Sequence, residues 1–432
     1  MPNSFYKILG IDPGNRKEIL AFSKKVKITI EKLDFYNLNN ILPSNKELLA
    51  ISDIIGQPVE YIMLQMGAWD HKLKELILKN IKSQDVVLQK DGEKNELLDF
   101  KPSFVSEFGQ LFKGDCIAYL KTVEDETFDL IFADPPFNLS KNYLSDINDN
   151  LDLEEYISWT EDWLTECVRT LKDGGSLFLW NLPKWNTYFS SFLNKRLNFR
   201  HWIVTDIKYS LPINNRLYPS HYSLLYYSKG PTTKTFHPDR LPMEICPKCY
   251  SDLKDYGGYK DKMNPKGINM TDIWTDIPPV RHKKYKRRKE ANELSLKLLD
   301  RIIEMSSEKG DLIFDPFGGS GTTYIVAEIK ERKWVGIEIG PCTDIVERFK
   351  VISEEKIFLA NYRKNYNKLF SEKTKAIRHQ MNLWTDDTFR KNPEDSDDST
   401  NNQQLDQPTP SPSQEGSLYS AANNQQQATN PG

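Results

Sequence analysis

Two short stretches carry residue types able to do chemistry together, and each opens with an aspartate followed by proline. The first is Asp134-Pro135-Pro136-Phe137, directly after the apolar run Phe128–Ala133. An acid at the carboxyl end of a strand stands where open α/β sheets bind ligands. Consecutive prolines donate no N–H and have restricted φ, which aims the Pro135 carbonyl in a nearly fixed direction. One carboxylate and one rigid carbonyl make a pair of acceptors that can grip an NH2 group, and Phe137 adds a flat face for a planar ring. The same four residues also suit a plain proline-rich turn that closes a strand.

The second stretch is Asp315-Pro316-Phe317-Gly318-Gly319-Ser320-Gly321-Thr322-Thr323, after the apolar run Asp311–Phe314. Its glycines let the backbone pass close to a ligand while the first N–H groups of the following helix-like run, from Tyr324, face it. No Gly-Lys-Ser/Thr follows, so it is not a phosphate loop. It also departs from the dinucleotide fingerprint, because Tyr324 stands at the place of the third glycine. Glu338 lies on the next strand, 23 residues beyond Asp315, where an acid commonly takes the ribose hydroxyls of a nucleoside cofactor.

With Gly114-Asp115-Cys116, Asp129-Leu130-Ile131-Phe132-Ala133-Asp134-Pro135-Pro136-Phe137-Asn138, Asp315–Thr323 and Gly336-Ile337-Glu338, the chain resembles a known family. These are the amino-group DNA methyltransferases that use S-adenosyl-L-methionine, in the beta arrangement. The resemblance runs from about Leu111 to Lys350, and the motif order matches: catalytic motif, target-recognition region, cofactor loop. It implies a circularly permuted, Rossmann-like class I fold, α/β and doubly wound, with a mostly parallel sheet. It implies that Phe317, Gly319 and Gly321 line the methionine part of the cofactor, with Thr322 beside them and Asp315 at the base of the loop. Glu338 would take the ribose hydroxyls, and Asp115 would lie near the adenine. Asp134 and Pro135 would hold the target amino group, Pro136 stiffening the motif and Phe137 stacking on a flipped base. One departure stands out. The family commonly introduces the helix before the glycine loop with a His-Pro-Thr-Gln-Lys-Pro type segment, and this chain has Lys286-Arg287-Arg288-Lys289-Glu290-Ala291-Asn292-Glu293 there. No cofactor contact is assigned within it.

The implied activity is site-specific methylation of adenine N6 in duplex DNA, as part of a restriction-modification or related system, since acidic forms of the motif such as Asp134-Pro-Pro-Phe accompany adenine more often. N4 of cytosine, an RNA substrate, and a DNA-binding regulator with an inactive methyltransferase domain stand as alternatives. The expected partners are double-stranded DNA, a cognate restriction endonuclease and a second copy in a homodimer, with no membrane and no metal.

The elements that must position these residues follow from composition and pattern. At roughly 100–200 residues per domain, 432 residues predict two to three domains. No stretch approaches the ~18 consecutive apolar residues of a membrane span, and Met1-Pro2-Asn3-Ser4 lacks a secretory pattern, so a cytoplasmic protein is expected. Five scattered cysteines argue against a disulfide framework. Cys246-Pro-Lys-Cys249 is half of a zinc knuckle, but with only His237 nearby four ligands are not evident.

Residues 1–89 read as a small helical domain. A capping box at Ser44-Asn45-Lys46-Glu47, a stop at Gly56 and a second start at Pro58 suit a helix-turn-helix, and this stretch resembles lambda-repressor-like domains. A linker at 90–107 leads to the methyltransferase domain at 108–370. Its expected strands are Phe128–Ala133, Ser176–Trp180, Trp202–Ile207, Tyr222–Tyr227, Asp311–Phe314 and Trp334–Ile337, and its expected helices include Leu153–Leu171 and Glu293–Ser306. The irregular stretch at about 229–290 reads as a target-recognition insertion.

The net charge of -3 hides a contrast. Thr385–Gly432 holds eight acids against two bases, a net of -6, and the polar segment 371–432 reads as mostly disordered tail. By contrast, the run from Arg281 to Lys289 places Arg281, Lys283, Lys284, Lys286 and Arg287 among seven bases around Tyr285, a composition suited to a polyanion backbone.

Overall fold

The computed structural model describes residues 5–68, 100–139, 150–206, 220–244, 253–259, 267–277, 293–368 and 370–383, with a few short or isolated positions between them. The chain divides into two compact units, Met1–Leu241 with Lys266–Asn367, and Pro242–Pro265 with Lys368–Gly432.

Five helices open the first unit: α1 (Phe5–Ile8), α2 (Arg16–Val26), α3 (Ile30–Asn39), α4 (Asn45–Ile55) and α5 (Val59–Gln65). α4 starts at the expected capping box, the Glu47 N–H donating to Ser44 Oγ while the Ser44 N–H donates to Glu47 Oε2 at 2.9 Å. It ends at Gly56, whose φ of 66° lies in the left-handed region that terminates helices. α5 follows Pro58 and carries one acid, Glu60, and no basic residue. Leu48, Ile51, Ile62 and Met66 join Phe5, Tyr6, Phe22 and Tyr36 in a core of their own. Polar ties join this core to the sheet: Leu42 N–H donates to the Lys195 carbonyl at 2.6 Å, Arg196 pairs with Asp70 at 2.7 Å, and Lys32 pairs with Asp173 at 3.1 Å.

The sheet region runs β1 (Pro102–Val105), β2 (Gly109–Lys113), α6 (Cys116–Leu120), β3 (Phe128–Ala133), α7 (Leu153–Thr170), β4 (Leu171–Asn181), α8 (Pro183–Leu193), β5 (Asn198–Asp206) and β6 (His221–Ser228). Then come β7 (Arg240–Leu241), β8 (Ile268–Asn269), β9 (Ile273–Trp274), α9 (Leu296–Ser306), β10 (Leu312–Asp315), α10 (Thr322–Ile329), β11 (Lys333–Glu338), α11 (Thr343–Lys350) and α12 (Ile352–Asn365). In space the nine strands lie in the order β1-β2-β11-β10-β3-β4-β6-β5-β9. The five from β2 to β4 are parallel, while β6 runs antiparallel to both β4 and β5. Every residue of β3 is buried. Leu130 and Phe132 join one apolar cluster and Ile131 and Ala133 another, which is what alternation across a sheet covered on both faces requires. This is the doubly wound, mostly parallel α/β sheet.

One adjacency brings the two motifs together. β10, far from β3 in the chain, pairs directly beside it in parallel, Ile313 opposite Leu130 and Phe314 opposite Ile131. The Asp129 carboxylate helps hold that register, accepting the Leu312 N–H at 3.0 Å and the Lys172 ammonium at 2.7 Å. In the insertion, β7 and β8 form a two-stranded ladder, and β9 adds to the sheet edge with Ile273 opposite Val204. The basic run at 281–289, Cys249 and the tail from 386 lie outside the described residues. In the second unit, α13 (Glu372–Gln380) starts at Ser371, whose Oγ accepts the Thr374 N–H at 3.2 Å. No helix among the described residues is long and apolar enough to cross a membrane.

Candidate functional site

The parallel pairing of β3 and β10 sets their carboxyl ends side by side, so Asp134-Pro-Pro-Phe and the glycine loop leave adjacent strands at one rim. This rim, in the first unit, is the candidate site.

Side chains from neighbouring helices hold the Asp134-Pro-Pro-Phe loop. The Tyr156 hydroxyl of α7 donates to the Pro136 carbonyl at 2.6 Å, and Trp185 Nε1 of α8 donates to the Phe137 carbonyl at 2.7 Å. The Pro135 carbonyl has no partner among the described residues. Asn138, in left-handed backbone at φ 51°, donates from Nδ2 to the Leu151 carbonyl at 2.9 Å and accepts the Leu151 N–H at 2.8 Å. That two-way bond latches the end of the motif to the entry of α7. Asp134 is half-buried and Pro135 buried. The Phe137 ring is only 6% exposed and leans on Tyr222 at 6.0 Å, so its first task in this fold is packing.

The glycine loop is held by its own strands. Asp315 Oδ1 accepts the Phe317 N–H at 2.9 Å, and the Gly318 N–H donates to the Ile337 carbonyl at 2.8 Å. Glu338, 7% exposed, accepts the Gly319 N–H on Oε2 at 2.7 Å and the Gly340 N–H on Oε1 at 2.8 Å. Complete burial pushes the Asp315 carboxyl up to about 7, against the bonds from Thr323 and Phe317 that favour its charged form. Asp115, by contrast, is exposed and caps α6, its Oδ1 accepting the Ala118 N–H at 2.8 Å.

The displaced third glycine has a structural explanation. Tyr324 stacks on Trp334 at 4.9 Å, and its hydroxyl donates to the carbonyls of Asp315 at 3.1 Å and Ile337 at 3.2 Å. A Cβ on Gly336 of β11 would collide with the Tyr324 ring. The close helix-to-strand approach that usually needs a glycine on the helix is made here by a glycine on the strand.

Sequence reasoning missed the buried charge behind this loop. Arg348 of α11 pairs with Glu355 through Nε at 2.8 Å and Nη2 at 2.9 Å. Its Nη1 donates to the Ser320 carbonyl at 2.8 Å and to Thr322 Oγ1 at 2.9 Å. Thr322 is thereby anchored from behind. An Arg and a Glu seven residues apart are common on helix surfaces, so only burial singles this pair out.

S-adenosyl-L-methionine fits these residues. A Cβ on Gly319 would meet only the Phe317 carbonyl, at 3.8 Å, which leaves open space over the loop. Glu338 supplies a carboxylate beside that space, and Asp315 an acid beneath it. The basic residues Arg281, Lys283, Lys284, Lys286 and Arg287 lie outside the described residues.

Comparison with known proteins agrees with this arrangement. Residues 128–348 match the N6_N4_Mtase family, described as DNA methylase. The chain is 46% identical over 382 residues to the type II methyltransferase M.BamHI of Bacillus amyloliquefaciens, covering 87% of this chain and 90% of that protein. It is 32% identical over 241 residues to the DNA adenine methyltransferase YhdJ of Escherichia coli (strain K12), covering 55% and 80%. Among solved structures, the PvuII DNA methyltransferase (cytosine-N4-specific) aligns with a TM-score of 0.43 at 20% identity, covering 61% of this chain and 94% of that one. With its two motif loops on adjacent parallel strands and a family match over the whole of that region, the chain belongs to the S-adenosyl-L-methionine-dependent amino-group DNA methyltransferases of the beta arrangement.

Proposed function

We propose that this protein methylates an exocyclic amino group of a base extruded from duplex DNA, as the modification enzyme of a type II restriction-modification pair. The observation that carries this reading is the β3–β10 adjacency, which sets the two-acceptor motif beside the glycine loop. The relation to a type II methyltransferase along 87% of the chain supports the pairing with a nuclease.

When bound, S-adenosyl-L-methionine supplies a methyl group activated by its sulfonium. Asp134 and the Pro135 carbonyl then accept the two N–H bonds of the target amine. This draws the nitrogen lone pair out of the ring and favours the pyramidal geometry that attack requires. The Tyr156 and Trp185 bonds hold the next two carbonyls of the loop, which keeps Pro135 aimed. Extrusion costs a few kcal/mol, and stacking on an aromatic face offsets ~1–3 kcal/mol of it. On the cofactor side, Gly319 and Gly321 leave room for the methionine part, Phe317 and Thr322 border it, and Glu338 takes the ribose hydroxyls. Asp115 is proposed near the adenine. The bases Arg281, Lys283, Lys284, Lys286 and Arg287 follow the DNA phosphates.

Adenine N6 and cytosine N4 each present an NH2 beside a ring nitrogen, so the same grip serves both. The acidic Asp134 and the relation to an adenine methyltransferase over 55% of the chain support adenine as the first reading, while the 46%-identical M.BamHI, which acts on cytosine N4, supports the second. The other acceptor geometry is indifferent to ring size, and cytosine is the second reading. Incubating the protein with duplex DNA and methyl-labelled cofactor, then digesting to nucleosides for mass spectrometry, tests both. N6-methyladenine is the first expectation. N4-methylcytosine as sole product would replace the base while keeping the reaction, and no labelled nucleoside would overturn the proposal.

A further inference from the structure

We infer that the aromatic face of α7, formed by Tyr156, Trp159 and Trp163, is a positioning device that sets the catalytic loop against the cofactor loop. The inference rests on the methyltransferase reading above and extends the part given to Tyr156 along its helix to Trp159 and Trp163, and so to the cofactor loop.

These three side chains fall at i, i+3 and i+7, one stripe of one helix. The lower end of the stripe holds the catalytic loop. The Tyr156 side chain is buried, its hydroxyl donates to the Pro136 carbonyl at 2.6 Å and accepts from Asn181 Nδ2 at 3.3 Å, and its ring packs on Trp185 at 4.6 Å. Trp185 holds the Phe137 carbonyl, so two consecutive carbonyls of the motif are fixed through one aromatic pair. The upper end holds the cofactor loop. Trp163 meets the Phe317 ring edge-on, with centroids 5.0 Å apart and planes at 80°, and Trp159 leans on the same ring at 5.8 Å. Trp159 also contacts both its stripe neighbours, Tyr156 at 5.9 Å and Trp163 at 6.2 Å. The chain of contacts is therefore continuous, from the Pro136 carbonyl to the ring of Phe317.

Two further features favour positioning over general packing. Trp163 is fully buried, yet its Nε1 has no hydrogen-bond partner among the described residues. A buried indole normally satisfies its N–H, so shape against Phe317 and Trp159 holds this one. α7 itself is fixed at its start, with a capping box between Asp152 and Glu155 and the Asn138 latch at Leu151. The helix can move neither loop without the other. Methyl transfer needs the acceptor nitrogen and the methyl carbon at near-attack distance, and small misplacements cost rate steeply.

The test uses full-length protein and separates the two ends of the stripe. Tyr156→Phe keeps the ring and removes only the hydroxyl. It should lower kcat by about tenfold or more while leaving the dissociation constants for cofactor and DNA within about threefold. Trp163→Phe should instead weaken cofactor binding several-fold, with DNA binding unchanged. The double variant should be non-additive, because one helix face transmits both effects. Thermal melting of each variant checks folding, and a merely structural role predicts activity that follows the folded fraction alone. Full turnover by Tyr156→Phe would overturn the inference while leaving the methyltransferase reading in place. An unchanged cofactor affinity in Trp163→Phe would do the same. Absence of methyl transfer by the unaltered protein would overturn both.

Discussion

The two loops at the rim begin alike, Asp134-Pro-Pro-Phe and Asp315-Pro-Phe-Gly, and leave adjacent parallel strands, yet they are built on different principles. The Asp134-Pro-Pro-Phe loop, proposed as catalytic, is stiff in its own backbone. Prolines restrict it, and side chains from α7 and α8 take its later carbonyls. The glycine loop is permissive in backbone, Gly319 having a φ of 52°, and is stiffened from outside by Glu338, Tyr324 and the buried Arg348–Glu355 pair. The aspartates diverge accordingly. Asp134 is half-buried at the rim, whereas Asp315 is sealed under its loop with its carboxyl raised to about 7. On the proposed reading, one opening sequence thus serves two ends: acceptors aimed at a substrate, and space kept open for a cofactor.

If that division is right, Asp134→Ala lowers methyl transfer by about 10²–10³-fold, the range of a lost transition-state hydrogen-bond partner, and leaves cofactor affinity within a few fold. Label transfer and equilibrium binding measure the two sides. Loss of cofactor binding in this variant would merge the loops' roles and break the contrast.

Next in size is the external brace. Arg348→Ala strands the buried Glu355 carboxylate and should cost about 3–5 kcal/mol of stability, read from denaturant unfolding. A loss below about 1 kcal/mol would mean that the glycine loop is not held by this pair. Gly319→Val attacks the open space instead, placing a branched side chain at positive φ over the loop. It should weaken cofactor binding by about one to two orders of magnitude, an effect of a few kcal/mol like other strain at such positions. DNA binding should remain. Retained cofactor affinity would move the cofactor off Gly319.

The raised Asp315 sharpens the comparison through pH. Folded protein keeps a proton on this carboxyl up to about 7, which the unfolded chain loses near 3.8. The folded state therefore binds more protons between these values, so this group makes stability fall as pH rises through that window and then level off. A cationic cofactor above Asp315 favours the ionised form. Cofactor affinity should thus rise with pH, by up to about tenfold per unit below about 7, and flatten above it. Calorimetry in buffers of differing ionisation heat should show proton release in the lower range. A flat profile would place the positive charge elsewhere. The smallest expected effect concerns the basic run. Changing Lys283, Lys284 and Lys286 to Gln should weaken binding to every DNA sequence and shallow the salt dependence by up to about one unit per lost phosphate contact. An unchanged slope would return the run to ordinary solvated surface.

Local chemistry made part of this protein legible from its residues. Strand β3 appeared at its full length because a strand buried on both faces must be a continuous apolar run. The start and stop of α4 appeared because a capping box and a left-handed glycine are short-range devices. The paired motifs, their order and the family they resemble were legible for the same reason, since each is a contiguous string. β1, α6 and the N-terminal α1 to α3 were not resolved from the pattern, being short or amphipathic without strong punctuation.

What only the tertiary structure decided is which residues meet. No local pattern says that β10 lies against β3, because strand order depends on how the whole sheet buries its two faces. Nor does one show that Gly336 has taken over the space usually given by a helix glycine, that Phe137 is packed on Tyr222, or that Arg348 is buried behind Thr322. In sequence, Tyr156 and Trp163 are only two positions of the helix expected over Leu153–Leu171. Their link to both loops exists only once the strands are in place, since packing and burial are properties of the assembled sheet and not of any segment of it.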